Sequence, residues 1–173
     1  YIDKISIIVP VLNSKEHLNR IIMGLLKQTI NDMEIIIVDS GSSDSTLDMC
    51  KDWSFLDNRI KVYETKDSVI DFGLKKATGK YILFLDNLNL NDNTMLEKMQ
   101  KALIQNNADI SIYNSNYSII TNYLVCDSIN IINDFDGCLW NKLFKKNLFN
   151  SYNNIEDVFK TALKKAVRIS LFV

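Results

Sequence analysis

Tyr81-Ile82-Leu83-Phe84-Leu85-Asp86-Asn87-Leu88-Asn89 decides how this chain is read. An unbroken apolar run that ends in an acid lacks the apolar/polar alternation of a half-exposed strand, so it predicts a strand covered on both faces. Two earlier runs have the same character, Ile5-Ser6-Ile7-Ile8-Val9 and Glu34-Ile35-Ile36-Ile37-Val38. Between the first two, Leu18, Ile21, Ile22, Leu25 and Leu26 recur at helical spacing, and Ser43-Asp44-Ser45-Thr46 opens a second helix through Leu47 and Met49. Alternating strands and helices predict an α/β fold with a mostly parallel sheet flanked by helices.

The remaining pattern is consistent with that plan. Arg59 to Tyr63 reads as a short strand and Phe72 to Ala77 as a short helix, with Gly79 expected as its left-handed C-cap. Met95 to Ile104 reads as an amphipathic helix, and Ile110 to Tyr113 and Ser118 to Ile120 as strands. From there to Asn133 the chain is rich in Asn and poorly patterned. Leu139 to Leu148 and Glu156 to Ile169 are expected as helices.

At 173 residues, with 47% hydrophobic and 24% charged content, the sequence predicts one globular domain over 1–173, a ligand-binding half at 1–110 and a second half at 111–173 that is read as truncated. A formal net charge of −1 gives no electrostatic footprint for nucleic acid, which is excluded as a main partner. Cys50, Cys126 and Cys138 are an odd number at wide spacing, without a zinc pair or a disulfide framework, which fits a reducing cytoplasm. Ile5 to Leu12 is too short to span a bilayer and lacks a signal peptide's cleavage pattern. The first residue is Tyr1 rather than Met, as in a trimmed terminus.

In open α/β sheets ligands lie beyond the carboxyl ends of the strands, where backbone amides and helix N-termini converge. The strong strands end there in Pro10-Val11-Leu12-Asn13, in Asp39-Ser40-Gly41-Ser42-Ser43-Asp44 and in Asp86-Asn87. No G-x-G-x-x-G follows the first strand, against a dinucleotide oxidoreductase, and no acid pair ends it, against a phospho-acceptor domain. Taken singly, Pro10 and Asn13 also read as strand termination and Asp39 as a turn cap.

Four segments in order, Ile7 to Asn13, Leu25-Leu26-Lys27-Gln28-Thr29, Glu34 to Asp44 and Ala77-Thr78-Gly79-Lys80 through Asp86, resemble the motifs of family 2 glycosyltransferases with the GT-A fold. The resemblance covers roughly the first hundred residues. It implies a Rossmann-like nucleotide-diphospho-sugar transferase domain, in which Pro10, Val11, Leu12 and Asn13 line the nucleotide pocket. By the same resemblance Asp39 and Ser40 meet the base, commonly uracil, and Asp86 and Asn87 approach the ribose or a metal. The family's acid cluster of D-x-D type binds Mg²⁺ or Mn²⁺ across the donor diphosphate. Here its later positions are Leu88 and Asn89, so the metal ligands reduce to Asp86 and Asn89, with Asp92 as an outside candidate. An Ala-Arg-Asn-x-Gly loop of the family corresponds to Val69-Ile70-Asp71-Phe72-Gly73, with Ile70 in place of Arg. Lys66, Lys75 and Lys76 are nearby cations that could meet a phosphate, the last two also reading as a solvated helix face.

Late in the chain, Trp140-Asn141-Lys142-Leu143-Phe144 resembles an acceptor-side element of the same family, and Glu156-Asp157 the acid pair that supplies the catalytic base. With Asp157 as base the implied transfer inverts the anomeric carbon. Acids at those positions also suit the first turn of a helix. Lys160, Lys164 and Arg168 give the last helix a basic side, suited either to an anionic membrane bearing lipid-linked acceptors or to plain solvent exposure. The apolar Leu171-Phe172-Val173 implies further protein or a covering partner. His17 reads as a surface or packing residue. Two functions fit: a transferase moving a sugar from a UDP-sugar donor to a glycan or lipid-linked acceptor in cell-surface polysaccharide synthesis, or a domain of the same fold kept as a binding or scaffolding module.

Overall fold

Ile7 and Val9 enter one hydrophobic cluster and Ile8 the other; Ile35 and Ile37 part in the same way from Ile36 and Val38, and Leu83 and Leu85 from Ile82 and Phe84. All are nearly inaccessible to solvent. The unbroken apolar runs are thus strands buried on both faces, each fully buried side chain contributing about 1.5–3 kcal/mol. This is a computed structural model, and it describes residues 3–85, 90–113, 124–126, 142–150 and 169–172.

The elements in chain order are β1 (Ile5–Val11), α1 (Lys15–Leu26), β2 (Met33–Asp39), α2 (Thr46–Leu56), β3 (Ile60–Glu64), α3 (Val69–Lys76), β4 (Tyr81–Phe84), α4 (Met95–Gln105) and β5 (Ile110–Tyr113). After these come β6 (Leu124–Cys126), β7 (Lys142–Lys145), a 3₁₀ turn (Lys146–Phe149) and β8 (Ile169–Phe172). The described strands form one sheet in the order β3-β2-β1-β4-β7-β5-β8-β6. Strands β3, β2, β1 and β4 are parallel; β7 runs antiparallel between β4 and β5. The apolar sides of α1, α2 and α4 cover one face, and α3 with the 3₁₀ turn covers the other. The sheet is mostly parallel, as expected.

Three expectations need correction. Lys142 to Lys145 is a strand, not part of a helix, because Leu143 and Phe144 are both buried on opposite sheet faces, which a strand between two neighbours satisfies. Phe144 then joins Phe84 and Phe149 in a trio of edge-on rings with centroids 5.4–6.2 Å apart. Ile169 begins β8 rather than closing a helix, and Ile169 to Phe172 pairs with β5 and β6. Gly79 is not a left-handed cap, since among the described glycines only Gly41 has a positive φ. It is needed for space: a Cβ there would lie 2.6 Å from the Lys4 carbonyl oxygen and 2.7 Å from the Ser6 nitrogen. The expected strand at Ser118–Ile120 and the helix from Glu156 lie outside the described residues, apart from Ile169.

At the amino end of the sheet Glu34 is buried to 1% exposure. Its Oε1 accepts from Ser6 Oγ at 2.6 Å, Thr78 N at 2.7 Å and Thr78 Oγ1 at 2.8 Å, and its Oε2 accepts from Lys61 Nζ at 2.6 Å. Ser6 Oγ in turn accepts from Gly79 N at 2.8 Å. Burial alone pushes the Glu34 carboxyl up, but Lys61, Ser6 and Thr78 outweigh it and hold the group well below the usual carboxylate range. Strands β1, β2 and β3 and the turn into β4 are joined through this one carboxylate.

Glu34→Ala should lower the unfolding free energy by about 2–4 kcal/mol in urea at pH 7. A group whose folded pKa is depressed stabilises the fold above its unfolded pKa, about 4.3 for Glu, and the contribution fades as pH falls below that. The gap between wild type and Glu34→Ala should therefore narrow from pH 7 toward pH 3; a gap independent of pH would contradict the ionised assignment.

Candidate active site

The β1–β4 ladder ends at Ile8 opposite Phe84, with Leu85 N donating to Ile8 O at 2.9 Å. Pro10, two residues on, has no N–H to continue it, while β1 runs on beside β2 as far as Val11 opposite Asp39. From β1 the chain crosses to β2 on one side, and from β3 it crosses back to β4 on the other. A crevice beyond the carboxyl ends of β1 and β4 is the switch point of this sheet.

A seam of hydrogen bonds forms one wall. Asp39, 1% exposed, accepts at Oδ1 from Gly41 N and Ser42 N, each at 2.8 Å, and at Oδ2 from Ser42 Oγ at 2.5 Å. Ser42 Oγ then accepts from Asn13 N at 2.9 Å, and Asn13 Oδ1 accepts from Ser43 N at 2.8 Å. Ser40 N donates to Val11 O at 3.1 Å, and Ser14 N to the buried Thr46 Oγ1 at 2.7 Å. Asn13 adopts the left-handed region at φ 48°, which Asn tolerates because its short amide bonds locally. Gly41, at φ 106°, needs the freedom of glycine. Thr65 N donates to Asp39 O at 2.9 Å, which draws the β3 exit and the exposed Lys66 to the same edge.

These contacts assign different work to the expected donor residues. Pro10 ends the ladder, and Val11 is buried and contributes its carbonyl to the seam. Leu12, 56% exposed, and Asn13 form the solvent-facing lip, with Ser40 exposed beside them. The Asp39 carboxylate accepts three hydrogen bonds from its own turn and so shapes this wall. Lys75 and Lys76 are exposed, and Lys76 Nζ lies 5.1 Å from the Tyr63 ring centroid and 5.4 Å from that of Phe72. His17 is exposed on α1. Asp86, Asn87, Leu88, Asn89, Glu156 and Asp157 lie outside the described residues.

Both flanks of 86–89 are nonetheless fixed. Leu85 is held by Ile8, and Leu90 packs on Gly24 of α1 so closely that a Cβ there would stand 2.7 Å from the Leu90 Cβ. Gln28, 4% exposed, donates through Nε2 to Asp92 O at 2.9 Å and accepts at Oε1 from Leu96 N at 3.1 Å; Thr29 N donates to Asn93 O at 2.8 Å. The Gln28-Thr29 pair in the sequence is thus a clamp on the segment returning from β4. The sequence offered no chemical reason for it, because its partners lie more than sixty residues away.

Asp92 accepts at Oδ1 from Thr94 N at 2.9 Å and Thr94 Oγ1 at 2.6 Å, and at Oδ2 from Lys98 Nζ at 2.9 Å. Burial raises its pKa, but those donors hold it below the usual value, and it caps the start of α4. Among the described residues no cluster of three or more His, Cys, Asp or Glu side chains could hold a metal ion. The implied Mg²⁺ or Mn²⁺ is left with Asp86 and Asn89, an acid and a neutral amide, a weak donor set for a hard cation. Residues 69–73, which correspond to the family's loop, lie within helix α3, where Ile70 is buried in the core and a Cβ on Gly73 would lie 2.6 Å from Ile8 Cγ2. The retained glycine is explained by helix-to-strand packing.

The fold and its crevice define a GT-A domain. S. aureus TarS 1–349 in complex with UDP superposes with a TM-score of 0.80 at 20% identity, over 98% of this chain and 57% of that one. A mannosyltransferase from Pyrobaculum calidifontis in complex with GDP-Man and Mn²⁺ superposes with a TM-score of 0.66 at 16% identity, over 86% and 46%. The profile of glycosyl transferase family 2 matches residues 6–167, and the chain belongs to that family. Glycosyltransferase GlyA of Streptococcus pneumoniae is 31% identical over 65% of this chain and 17% of its own length, and GlyG of the same organism is 30% identical over 65% and 39%. An uncharacterised glycosyltransferase of Haemophilus influenzae is 36% identical over 59% and 43%. The chain spans less than half the length of each of these relatives.

Asp39→Ala leaves the Gly41 and Ser42 amides without their acceptor. It should cost about 2–4 kcal/mol of stability in urea, whereas Ser40→Ala should stay within about 0.5 kcal/mol. Equal midpoints for Asp39→Ala and wild type would show that the carboxylate does not hold the seam.

Proposed function

We propose that this chain is the donor-binding and catalytic domain of a glycosyltransferase that uses a nucleotide-diphosphate sugar, a UDP-sugar by preference, and an acceptor hydroxyl of a glycan or lipid-linked glycan. The observation that carries this reading is the seam joining Val11, Asn13, Asp39, Ser40, Ser42 and Ser43 at the switch point. It fixes a lip with exposed Leu12, Asn13 and Ser40 where a nucleotide would enter, with Lys66 at the side facing β3. The UDP-bound state of the TarS neighbour and the GDP-Man-bound state of the archaeal one support a nucleotide-sugar ligand for the shared fold. Asp86 and Asn87 take the ribose and diphosphate side of the pocket. Mg²⁺ or Mn²⁺, when bound, would screen charge on the diphosphate, with Asp86 and Asn89 as its protein ligands.

In the proposed reaction Asp157, with Glu156 beside it, accepts the proton of the acceptor hydroxyl. The freed oxygen attacks the anomeric carbon from the side opposite the diphosphate, whose bond to that carbon breaks with release of the nucleoside diphosphate. One displacement inverts the centre. A carboxylate with a reference pKa of about 3.9 is ionised at neutral pH, so placement within hydrogen-bond reach is its main requirement. The pathway we assign is cell-surface polysaccharide synthesis at the cytoplasmic side of a membrane. Among the described residues no helix is long and apolar enough to cross a bilayer.

A second reading, a non-catalytic binding module, draws on Ile70, which is buried in the core where the family carries Arg, and on Leu88 in the acid cluster. Calorimetric titration with UDP, with and without Mn²⁺ at fixed salt, separates donor site from scaffold. Saturable binding is expected, strengthened by Mn²⁺ if Asp86 and Asn89 hold the ion; absence of binding to UDP and to other nucleoside diphosphates would leave the scaffold reading. Asp157→Asn should abolish sugar transfer and keep UDP affinity within about threefold. Retained turnover in that variant would return Glu156-Asp157 to a helix-start role.

A further inference from the structure

Glu16, Arg20, Met23 and Lys27 recur at intervals of three and four along α1, so they form one stripe on the side turned away from the buried Leu18, Ile22 and Leu25. Beside that stripe lies a surface groove of about 1020 Å³, whose other wall is made by Leu90, Asn91 and Asn93 on the return from β4. It begins close to the donor lip, since Glu16 is three residues past Asn13. The donor site described above does not use it.

Two devices hold the walls of the groove at a fixed separation. Gly24 in the middle of α1 meets Leu90 so closely that a Cβ would stand 2.7 Å from the Leu90 Cβ, and the close approach explains a glycine where helix propensity disfavours one. The far wall is pinned from beneath by the buried Gln28, bonded to Asp92 O and Leu96 N, and by Thr29 N bonded to Asn93 O. Asn91 and Asn93, both exposed, therefore stand on backbone that the core fixes. Asn19, also lining the groove, accepts at Oδ1 from Trp53 Nε1 at 2.8 Å, which leaves its Nδ2 donors for another partner.

The charges along the groove are uncompensated. Lys51, Lys61, Lys80 and Lys101 each have a carboxylate at 2.6–3.6 Å, whereas among the described residues none lies within 4 Å of Arg20 or Lys27. Seven residues of helix rise about 10 Å, so the two cations are separate points along an extended ligand. Guanidinium and ammonium groups only donate, which suits carboxylate or phosphate oxygens; side-chain amides donate and accept, which suits hydroxyls. Glu16, at the end nearer the lip, only accepts and repels anions there. No aromatic side chain among the described residues lines the groove, so stacked bases have no platform.

We infer that this groove binds an acidic glycan, with carboxylate or phosphate groups of the chain on Arg20 and Lys27 and its hydroxyls on Glu16, Asn91 and Asn93. The inference rests on the proposed transferase function for the ligand's role: the glycan is the acceptor chain away from its reacting end.

The test is calorimetric titration with an oligogalacturonate and with a phosphorylated maltooligosaccharide, which separate the two anionic groups, beside unmodified maltooligosaccharide and polyglutamate. At least one charged oligosaccharide should bind saturably and more weakly as salt rises. The double variant Arg20→Gln, Lys27→Gln should lose at least about tenfold in that affinity while keeping its thermal unfolding midpoint and its UDP affinity within about threefold. Asn91→Ala, which removes no charge, should weaken the glycan about fivefold and leave polyglutamate unaffected. Binding of neither charged oligosaccharide overturns the proposal, as does undiminished binding by the double variant, or polyglutamate binding as tightly as the glycan. Wild-type protein that binds the glycan but no UDP keeps the groove and fails the donor reading; UDP binding without glycan binding does the reverse.

Discussion

Strand β1 keeps its partnership with β2 for its whole length and leaves β4 at Ile8 opposite Phe84, and the rest of the molecule is arranged around that parting. A parallel sheet covered on both faces has few places where backbone groups can turn toward a ligand. One is where neighbouring strands separate and their connections leave in opposite directions. Pro10 enforces the separation by lacking a donor, at the point where the sheet must open rather than continue. Beyond it the chain turns its backbone groups to the neighbouring loop: the Val11 carbonyl accepts from Ser40 N, and Asn13 N donates to Ser42 Oγ.

Strand β2 shows how one residue type does opposite work at the two ends of a single strand. Glu34 at the amino end is a hub between chain segments distant in sequence, satisfied by Ser6, Lys61 and Thr78. Asp39 at the carboxyl end is satisfied within three residues of itself, by Gly41 and Ser42. The first joins strands whose spacing the core already sets. The second shapes a turn that nothing in the core determines. Both carboxylates are buried and hydrogen-bonded, so loss of either should cost stability, Glu34 through contacts between distant segments and Asp39 through the turn that walls the crevice. Cys50, whose thiol is pushed up to about 12 by burial and by the nearby Asp39 charge, is correspondingly unreactive in the folded state.

The central strands and α1 to α4 were legible because local pattern and tertiary environment agree there. Runs such as Ile35 to Val38 have one reading in a sheet, and Leu18, Ile21, Ile22 and Leu25 have one in a helix. Lys142 to Lys145 was misread because four residues carry too little periodicity to separate strand from helix; its neighbours β4 and β5 decide the matter. Gly79 was assigned a cap because glycine after a helix usually is one, whereas the constraint is a backbone approach from Lys4 and Ser6 that no local pattern records. At the site, the strand ends were placed by topology alone, but the direction of the Asp39 carboxylate could not be read. An acid at a strand end serves a ligand or its own turn equally well on paper; Gly41 and Ser42 settle which groups it meets.

The electrostatics of the donor edge follow from what the chain has given up. On the donor reading proposed above, a diphosphate would bring negative charge beside the Asp39 turn, so the edge would need compensating donors or cations. Ile70 supplies neither, being buried against Ile8 and its neighbours, and Leu88 removes an oxygen from the acid cluster. Part of the requirement is met by neutralising acids internally: Asp39 is wrapped by backbone amides, which is a lower-cost way to keep a carboxylate near an anion than leaving it free. Among the described residues Lys66, exposed at the β3 exit, is a cation drawn to this edge by the Thr65–Asp39 bond. An exposed lysine is screened by salt, so any attraction it exerts on an anion at this edge should weaken as ionic strength rises.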